Sequence, residues 1–237
     1  MSSTSFQPHG HRARPLTVVT VGRVGVGKSA TGNTVLGRKA FQSSASFAAV
    51  TLMCQMESAV LDGVQLTVVD TPGLGGAQSP AAVMKEIQRC VSRAPGGPVV
   101  FLVVIQSGKF TADERRAVKW IQSGFGPQAA DYTVALFTRV DDLRADGRSV
   151  DRLIGTDLAV RDFVRECCGG YHGLDNRDSD PSQVAELLQK INSLVERNGG
   201  SEARRAAGAE PAAAALPAVW VLCVIGALAA VGFYMSK

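Results

Sequence analysis

The sequence has few aromatic and few charged residues, and its charges form no extended basic pattern. Aromatic residues make up 6% of the 237 residues and charged residues 19%, with a net charge of +4. Nucleic-acid-binding chains carry basic stripes with aromatic residues between them, and this sequence contains no such stripe. The composition therefore excludes nucleic acid as an expected partner.

Spacings typical of metal-binding or disulfide-forming cysteines are also missing. The count of cysteines is odd, and they stand at Cys54, Cys90, Cys167, Cys168 and Cys223. We expect free thiols and therefore a reducing compartment. Residues 1–15 are polar and have no apolar core, so no secretory signal is expected. The same residues lack periodicity, which predicts a disordered N-terminus.

The sequence does contain a phosphate-binding motif. Residues 22–29 read Gly-Arg-Val-Gly-Val-Gly-Lys-Ser and fit G-x-x-x-x-G-K-[ST] at every fixed position. The β-branched run 16–21 predicts a buried strand before the motif, and 30–36 predict a short helix after it. We expect Lys28 to reach the β- and γ-phosphates and Ser29 to coordinate Mg²⁺. The backbone expected to surround the phosphates is that of Gly25, Val26, Gly27, Lys28, Ser29 and Ala30.

A second phosphate-sensing element follows further along the chain. Residues 51–61 and 64–70 predict two strands, and the dipeptide Asp-Gly at 62–63 predicts a hairpin that makes them antiparallel neighbours. Asp70 and Gly73 then fit the pattern D-x-x-G. We expect Asp70 to hold Mg²⁺ through water and the N–H of Gly73 to meet the γ-phosphate.

Two more positions bear on hydrolysis. Thr51 is the candidate first-switch residue, whose hydroxyl or carbonyl would contact Mg²⁺ and sense the γ-phosphate. The alternative is an ordinary threonine at the start of a strand. Leu74 stands where many GTPases carry a glutamine that positions water, and since leucine cannot orient water we expect slow hydrolysis. The residues expected to act in catalysis are Lys28, Thr51 and Gly73.

A base-reading element is expected after the strand predicted over 133–137. Residues 138–143 read Thr-Arg-Val-Asp-Asp-Leu at the carboxyl end of that strand, where doubly wound sheets place ligand loops. A carboxylate there would accept the N1–H and the exocyclic amine of guanine, a donor pair that adenine lacks. Two registers fit, and the leucine that follows Asp142 favours Asp142 over Asp141. Arg139 belongs to the same element, and Asn176 is the candidate final base contact. The alternative is a polar loop whose aspartates cap the next helix.

The element order predicts an α/β protein with the P-loop GTPase fold, a doubly wound, mostly parallel sheet with one antiparallel strand. The domain is expected over 16–200, followed by a linker at 201–215. Residues 216–235 carry no charge and as a helix would span about 30 Å, the thickness of a bilayer core. They predict a C-terminal transmembrane helix, a tail anchor that leaves the domain on the cytosolic face of an intracellular membrane. The alternative is a buried helix of the domain. The single Lys237 at the end favours the endoplasmic reticulum over the mitochondrial outer membrane.

The chain from 17 to 200 resembles the GIMAP family, the septin-related GTPases of immunity-associated proteins. The likeness lies in Gly-Val-Gly-Lys-Ser-Ala-Thr-Gly-Asn-Thr-Val-Leu-Gly (25–37), Val-Asp-Thr-Pro-Gly-Leu (69–74), Gly-Lys-Phe-Thr (108–111), Leu-Phe-Thr-Arg (136–139) and Cys-Gly-Gly-Tyr-His (168–172). The resemblance implies GTP/GDP and Mg²⁺ as cofactors, dimers or oligomers in the GTP state, a membrane anchor and a role in immune-cell regulation.

Two departures from the family pattern affect the expected activity. Val140 replaces a lysine that usually lies beside the guanine, which predicts weaker nucleotide binding. Lys109 stands where an arginine often reaches a partner's phosphates, and lysine lacks the planar fork that such contacts use. Three hypotheses follow: a slowly hydrolysing GTPase switch, a GTP-bound scaffold that does not hydrolyse, and, more weakly supported, an ATP-dependent enzyme.

Overall fold

The computed structural model describes residues 13–43 and 53–199, and six strands in these ranges form one sheet. The strands are β1 (Arg14–Val21), β2 (Gln55–Leu61), β3 (Val64–Asp70), β4 (Val99–Gln106), β5 (Thr133–Thr138) and β6 (Tyr171–Leu174). Their order is β2-β3-β1-β4-β5-β6, with β2 antiparallel to β3 and all other pairs parallel. This confirms the expected α/β fold and its single antiparallel pair.

Seven α-helices and one 3₁₀ helix (Pro127–Tyr132) accompany these strands within the described ranges, and the last α-helix follows the last strand. The helices are α1 (Lys28–Leu36), α2 (Pro80–Arg93), α3 (Ala112–Phe125), α4 (Val140–Ala145), α5 (Val150–Thr156), α6 (Leu158–Glu166) and α7 (Ser182–Arg197). We did not predict α4, because a helix this short gives no measurable periodicity. The carboxylate of Asp157, between α5 and α6, accepts from the N–H of Ala159 at 2.9 Å and so caps α6.

The sheet is covered by helices on both faces. Val19, Phe101 and Phe137 belong to one buried cluster, which also contains apolar residues of α2, α3 and α6. The strand residues of opposite parity, such as Val18 and Leu136, lie in a second cluster with residues of α1 and α7. Alternate side chains of a strand point to opposite faces, so near-continuous apolar strands produce a doubly wound, three-layer structure.

Parallel strands place the functional loops at one edge of the sheet. The phosphate-binding motif follows β1, Asp70 ends β3, Thr138 ends β5, and Asn176 follows β6. Because β1, β3, β5 and β6 all run in the same direction, their carboxyl ends meet at one edge. The topology therefore brings together the motifs that the sequence separates.

The first strand begins earlier than the predicted domain boundary at residue 16. The N–H of Arg14 donates to the carbonyl of Gly63 at 3.0 Å, and this contact extends the pairing of β1 with β3. Thr51, the linker 201–215, the anchor 216–235 and most of the N-terminal segment 1–15 lie outside the described residues. Among the helices that are described, none is long and apolar enough to cross a membrane.

Truncation of Leu187 in α7 tests this account of the core. Leu187 is fully buried, so Leu187→Ala leaves a cavity and should lower the free energy of unfolding by roughly 2–5 kcal/mol. Leu158 on α6 is 62% exposed, and Leu158→Ala is the matched control. This control should change the free energy of unfolding by less than about 0.5 kcal/mol. Urea unfolding followed by circular dichroism measures both. Equal effects of the two substitutions would contradict the placement of α7.

Candidate functional site

The phosphate-binding loop connects β1 to α1 and ends at a left-handed glycine. Gly27 caps the N-terminus of α1 with a φ of 101°, which residues with a side chain rarely adopt. The Nζ of Lys28 donates to the carbonyl of Arg23 at 2.9 Å, and this bond joins the two ends of the loop. The first N–H groups of α1 have no partner within the helix, and they add a partial positive charge at the same place. The loop therefore offers a basic, backbone-lined site for phosphate.

Lys28 carries its charge in a buried position. Its side chain is 7% exposed, and this burial lowers the pKa of Lys28 from 10.5 to about 8, while the nearby carboxylate of Asp70 acts in the opposite direction. A buried ammonium with incomplete compensation is unfavourable. An anionic ligand beside it would supply the missing charge.

Ser29, Thr51 and Asp70 are the side chains expected around Mg²⁺, and the structure shows Ser29 and Asp70 in contact. The hydroxyl of Ser29 donates to Oδ2 of Asp70 at 2.6 Å, and Thr20 donates to Oδ1 of Asp70 at 3.3 Å. A hydroxyl and a carboxylate beside a phosphate loop are oxygen donors that suit Mg²⁺. Among the described residues, no group of three or more His, Cys, Asp or Glu side chains could hold a metal. A Mg²⁺ held here would complete its coordination with waters and phosphate oxygens.

The D-x-x-G segment lies directly against the phosphate-binding loop. The N–H of Leu74 donates to the carbonyl of Gly22 at 2.9 Å, and the N–H of Val24 donates to the carbonyl of Leu74 at 3.3 Å. A Cβ added to Gly73 would lie 2.6 Å from the nitrogen of Val24, so only glycine fits. The side chain of Leu74 packs against the core cluster of α2 and α3. The position after D-x-x-G is thus apolar and partly buried, as the sequence indicated.

A cavity of about 330 Å³ opens beside the phosphate-binding loop. Its lining consists of Gly25, Val26, Gly27, Ala30, Ser43, Gln106, Lys109, Thr138, Arg139, Asp141, Asp175, Asn176 and Arg177. The lining thus unites the loop after β1, the end of β5 and the loop after β6. A cavity of this size is in the range that small molecules occupy.

The geometry favours Asp141 over Asp142 as the carboxylate that faces this cavity. Asp141 lines the cavity with a side chain that is 28% exposed, and its Oδ1 is buried and has no hydrogen-bond partner among the described residues. The side chain of Asp142 is 50% exposed, is absent from the lining and lies 3.9 Å from Arg139. Val140 and Leu143 are buried, and their burial sets the rotation of α4 about its axis. The preference for Asp142 was based on the sequence motif and did not take this rotation into account.

Asn176 lines the cavity while its side chain is anchored to α1. Thr34 donates to Oδ1 of Asn176 at 2.9 Å, and Nδ2 of Asn176 lies 3.5 Å from the hydroxyl of Thr31. The hydroxyl of Thr138 similarly donates to the carbonyl of Val26 at 2.8 Å. These contacts fix the base side of the cavity to the phosphate side. We did not identify the roles of Thr138 and Arg177 from the sequence, although both adjoin residues that we did identify.

The motif and the fold define a protein with a phosphate-binding loop and the α/β fold of GTPases. A model of the AIG1 family matches residues 16–209, and the chain belongs to that family.

Several relatives show the same likeness over most of this chain. Immune-associated nucleotide-binding protein 7 of Arabidopsis thaliana is 35% identical over 202 residues, which are 83% of this chain and 65% of that protein. GTPase IMAP family member 8 of Homo sapiens is 36% identical over 190 residues, which are 78% of this chain and 28% of that protein. The chain therefore spans less than two thirds of the length of either relative. These matches confirm the family resemblance that the motifs indicated.

Solved structures share the fold at low sequence identity. The structure of Toc33 from Arabidopsis thaliana in complex with GDP and Mg²⁺ is similar with a TM-score of 0.59 and 22% identity, covering 76% of this chain and 84% of that one. The structure of Era in complex with MgGDPNP and a ribosomal RNA fragment has a TM-score of 0.52 at 16% identity, covering 75% of this chain and 57% of that one. Both support the fold assignment.

The buried charge of Lys28 gives a stability prediction for the protein without nucleotide. Lys28→Met removes the charge, so the free energy of unfolding should rise by about 3 kcal/mol below pH 8, given a pKa lowered from 10.5 to about 8. Because the folded pKa is lower than the unfolded one, this advantage should diminish above pH 8 and vanish by about pH 10.5. Urea unfolding of both proteins at pH 7 and pH 10 measures it.

A variant less stable than the wild type at pH 7 would contradict this assignment of Lys28.

Proposed function

We propose that this protein binds guanine nucleotides with Mg²⁺ and hydrolyses GTP slowly. The observation that carries the proposal is the cavity lined by both the phosphate-binding loop and Asp141. One end supplies backbone N–H groups for phosphate. The other supplies a carboxylate with a buried oxygen that has no partner in the described part of the chain. A nucleotide is the ligand whose two ends match these two chemistries.

The carboxylate selects the base in this proposal. Guanine presents the N1–H and the exocyclic amine side by side, and the two oxygens of Asp141 can accept both. Adenine presents an unprotonated N1 at the same place. This nitrogen is an acceptor, so it cannot form a hydrogen bond with a carboxylate oxygen. Support also comes from the name of the human relative, GTPase IMAP family member 8, and from the GDP and Mg²⁺ in the Toc33 structure.

Each residue of the phosphate side has a role in the proposed reaction. Lys28 would neutralise charge on the β- and γ-phosphates, and Gly73 would donate its N–H to the γ-phosphate. Bound Mg²⁺ would neutralise charge on the phosphates during transfer to water. Ser29 would hold that ion, and Asp70 would orient Ser29 and a water ligand of the ion. Thr51 remains the predicted first-switch residue.

Slow turnover follows from the apolar position after D-x-x-G. Leu74 is packed against the core and has no polar side-chain atom to orient an attacking water. Lys109 lines the nucleotide cavity and is exposed, so a second subunit could approach it. We therefore propose that GTP-bound copies dimerise or form oligomers and that this contact alters hydrolysis. Support comes from the chloroplast translocon components atToc33 and psToc159, a solved relative in fold, where dimerization is important for the GTPase activity.

The membrane anchor belongs to the same proposal. Residues 216–235 would hold the protein in an intracellular membrane with the nucleotide-binding domain on the cytosolic side, most simply the endoplasmic reticulum. The lipid bilayer would then concentrate the protein in two dimensions and favour its self-association. Its support is the uncharged sequence of that segment. A role in immune-cell regulation is proposed from the names of the relatives.

A second candidate function is a scaffold that binds GTP without useful turnover. The apolar Leu74 favours this alternative, because the site would then lack a group that activates water. The two functions predict the same nucleotide affinity and differ only in phosphate release.

Turnover at several protein concentrations tests the proposed function. The full-length protein in detergent, with GTP and Mg²⁺, should release phosphate slowly, at a rate per molecule that rises with protein concentration. Lys28→Met is the control for the phosphate contact and should release none.

The other outcomes are equally informative. A constant rate per molecule above that of Lys28→Met would contradict activation by self-association. GTP binding with no phosphate release above this control would favour the scaffold. Failure to bind any guanine nucleotide would contradict both functions.

A further inference from the structure

An arginine that the proposed reaction does not use lies on the base-reading carboxylate. Nη1 of Arg177 is 2.6 Å from Oδ2 of Asp141 and 3.3 Å from Oδ1 of Asp142. Arg177 itself lines the nucleotide cavity. One guanidinium therefore contacts both aspartates that fit the base-reading element in the sequence, where Asp142 was favoured.

The backbone that carries this arginine is held in place. The N–H of Arg177 donates to Oδ1 of Asp175 at 2.8 Å. The side-chain amide of Gln183 on α7 accepts from the N–H of Asp175 at 2.9 Å and donates to its carbonyl at 3.0 Å. These bonds fix the start of the arginine side chain, although its tip is largely exposed.

The two oxygens of Asp141 have different surroundings. Oδ2 accepts the hydrogen bond from Arg177, whereas Oδ1 is buried and has no partner among the residues that the structure describes. A carboxylate held at one oxygen cannot rotate freely about its last torsion. Its other oxygen then keeps one orientation, and Oδ2 still has a lone pair for a second donor. In the proposed complex the two oxygens would accept the two adjacent donors of guanine.

The arginine also balances the local charge. Asp141 and Asp142 are adjacent carboxylates, and their like charges repel each other. Arg177 lies against both, and Arg139 adds a weaker contact to Asp142 at 3.9 Å. The guanidinium thereby offsets the repulsion between the two carboxylates and holds Asp141 in place.

We propose that Arg177 is a positioning residue that sets base specificity by holding Asp141 in the orientation that accepts both guanine donors. This inference rests on the proposed function, since it assigns a second residue to the same base site. It predicts that the loss of Arg177 weakens recognition of the exocyclic amine more than it weakens binding of the phosphates.

Displacement of a fluorescent GDP analogue by GDP, IDP and ADP tests the inference on the full-length protein with Mg²⁺. Inosine nucleotides keep the N1–H and lack the exocyclic amine, so the GDP/IDP affinity ratio reports on that second donor. Arg177→Ala should weaken GDP binding by about tenfold, as expected when the hydrogen bond from the exocyclic amine to Asp141 is lost. It should weaken IDP binding less, so that the GDP/IDP ratio falls. Arg177→Lys should give an intermediate ratio, because lysine keeps the charge without the fork.

The control is another exposed arginine in an ion pair. Arg165 on α6 lies 3.5 Å from Asp162, so Arg165→Ala should leave all three affinities unchanged. Thermal melting of each variant with and without GDP checks that the fold is retained.

Two results would overturn the inference while leaving the proposed function intact. The first is an unchanged GDP/IDP ratio in Arg177→Ala. The second is tighter GDP binding in that variant, which would mean that Arg177 competes with the base for Asp141. A wild-type protein that fails to bind GDP would instead refute the proposed function.

Discussion

The candidate site depends on one buried charge, the ammonium of Lys28 beside the phosphate-binding loop. It is met by the carbonyl of Arg23 and by the nearby carboxylate of Asp70, yet burial still lowers the pKa of Lys28 to about 8. Without a ligand this arrangement reduces stability, and nucleotide phosphates would complete it. The folded chain therefore holds a site that is prepared for an anion.

Short polar contacts extend from that charge to the rest of the site. Backbone hydrogen bonds of Leu74 hold the D-x-x-G segment against the phosphate-binding loop. A movement of this segment at the γ-phosphate would therefore be transmitted to α2, the next helix in the chain. On the other side, Thr138 bonds to Val26, and Asn176 bonds to α1. These hydrogen bonds join the phosphate side and the base side of the proposed nucleotide site to each other.

The sequence predicted most of the fold and the phosphate side, because those features depend on local patterns. The apolar strands, the glycine motif and Asp70 each have a spacing that physical chemistry explains. The base side was harder to predict. The choice between Asp141 and Asp142 depends on the rotation of α4, which the burial of Val140 and Leu143 sets. The contact of Arg177 with Asp141 joins residues far apart in the chain, and no local pattern encodes it.

The central claim is that Asp141 reads guanine, and exchange of its carboxylate tests this most directly. An asparagine offers one acceptor and one donor, which match the N1–H and the 2-oxo group of xanthine. The claim predicts that Asp141→Asn loses affinity for GDP and gains affinity for XDP, while Asp142→Asn changes neither, measured by displacement of fluorescent nucleotide. The reverse pattern, or unchanged preference in both variants, would contradict it.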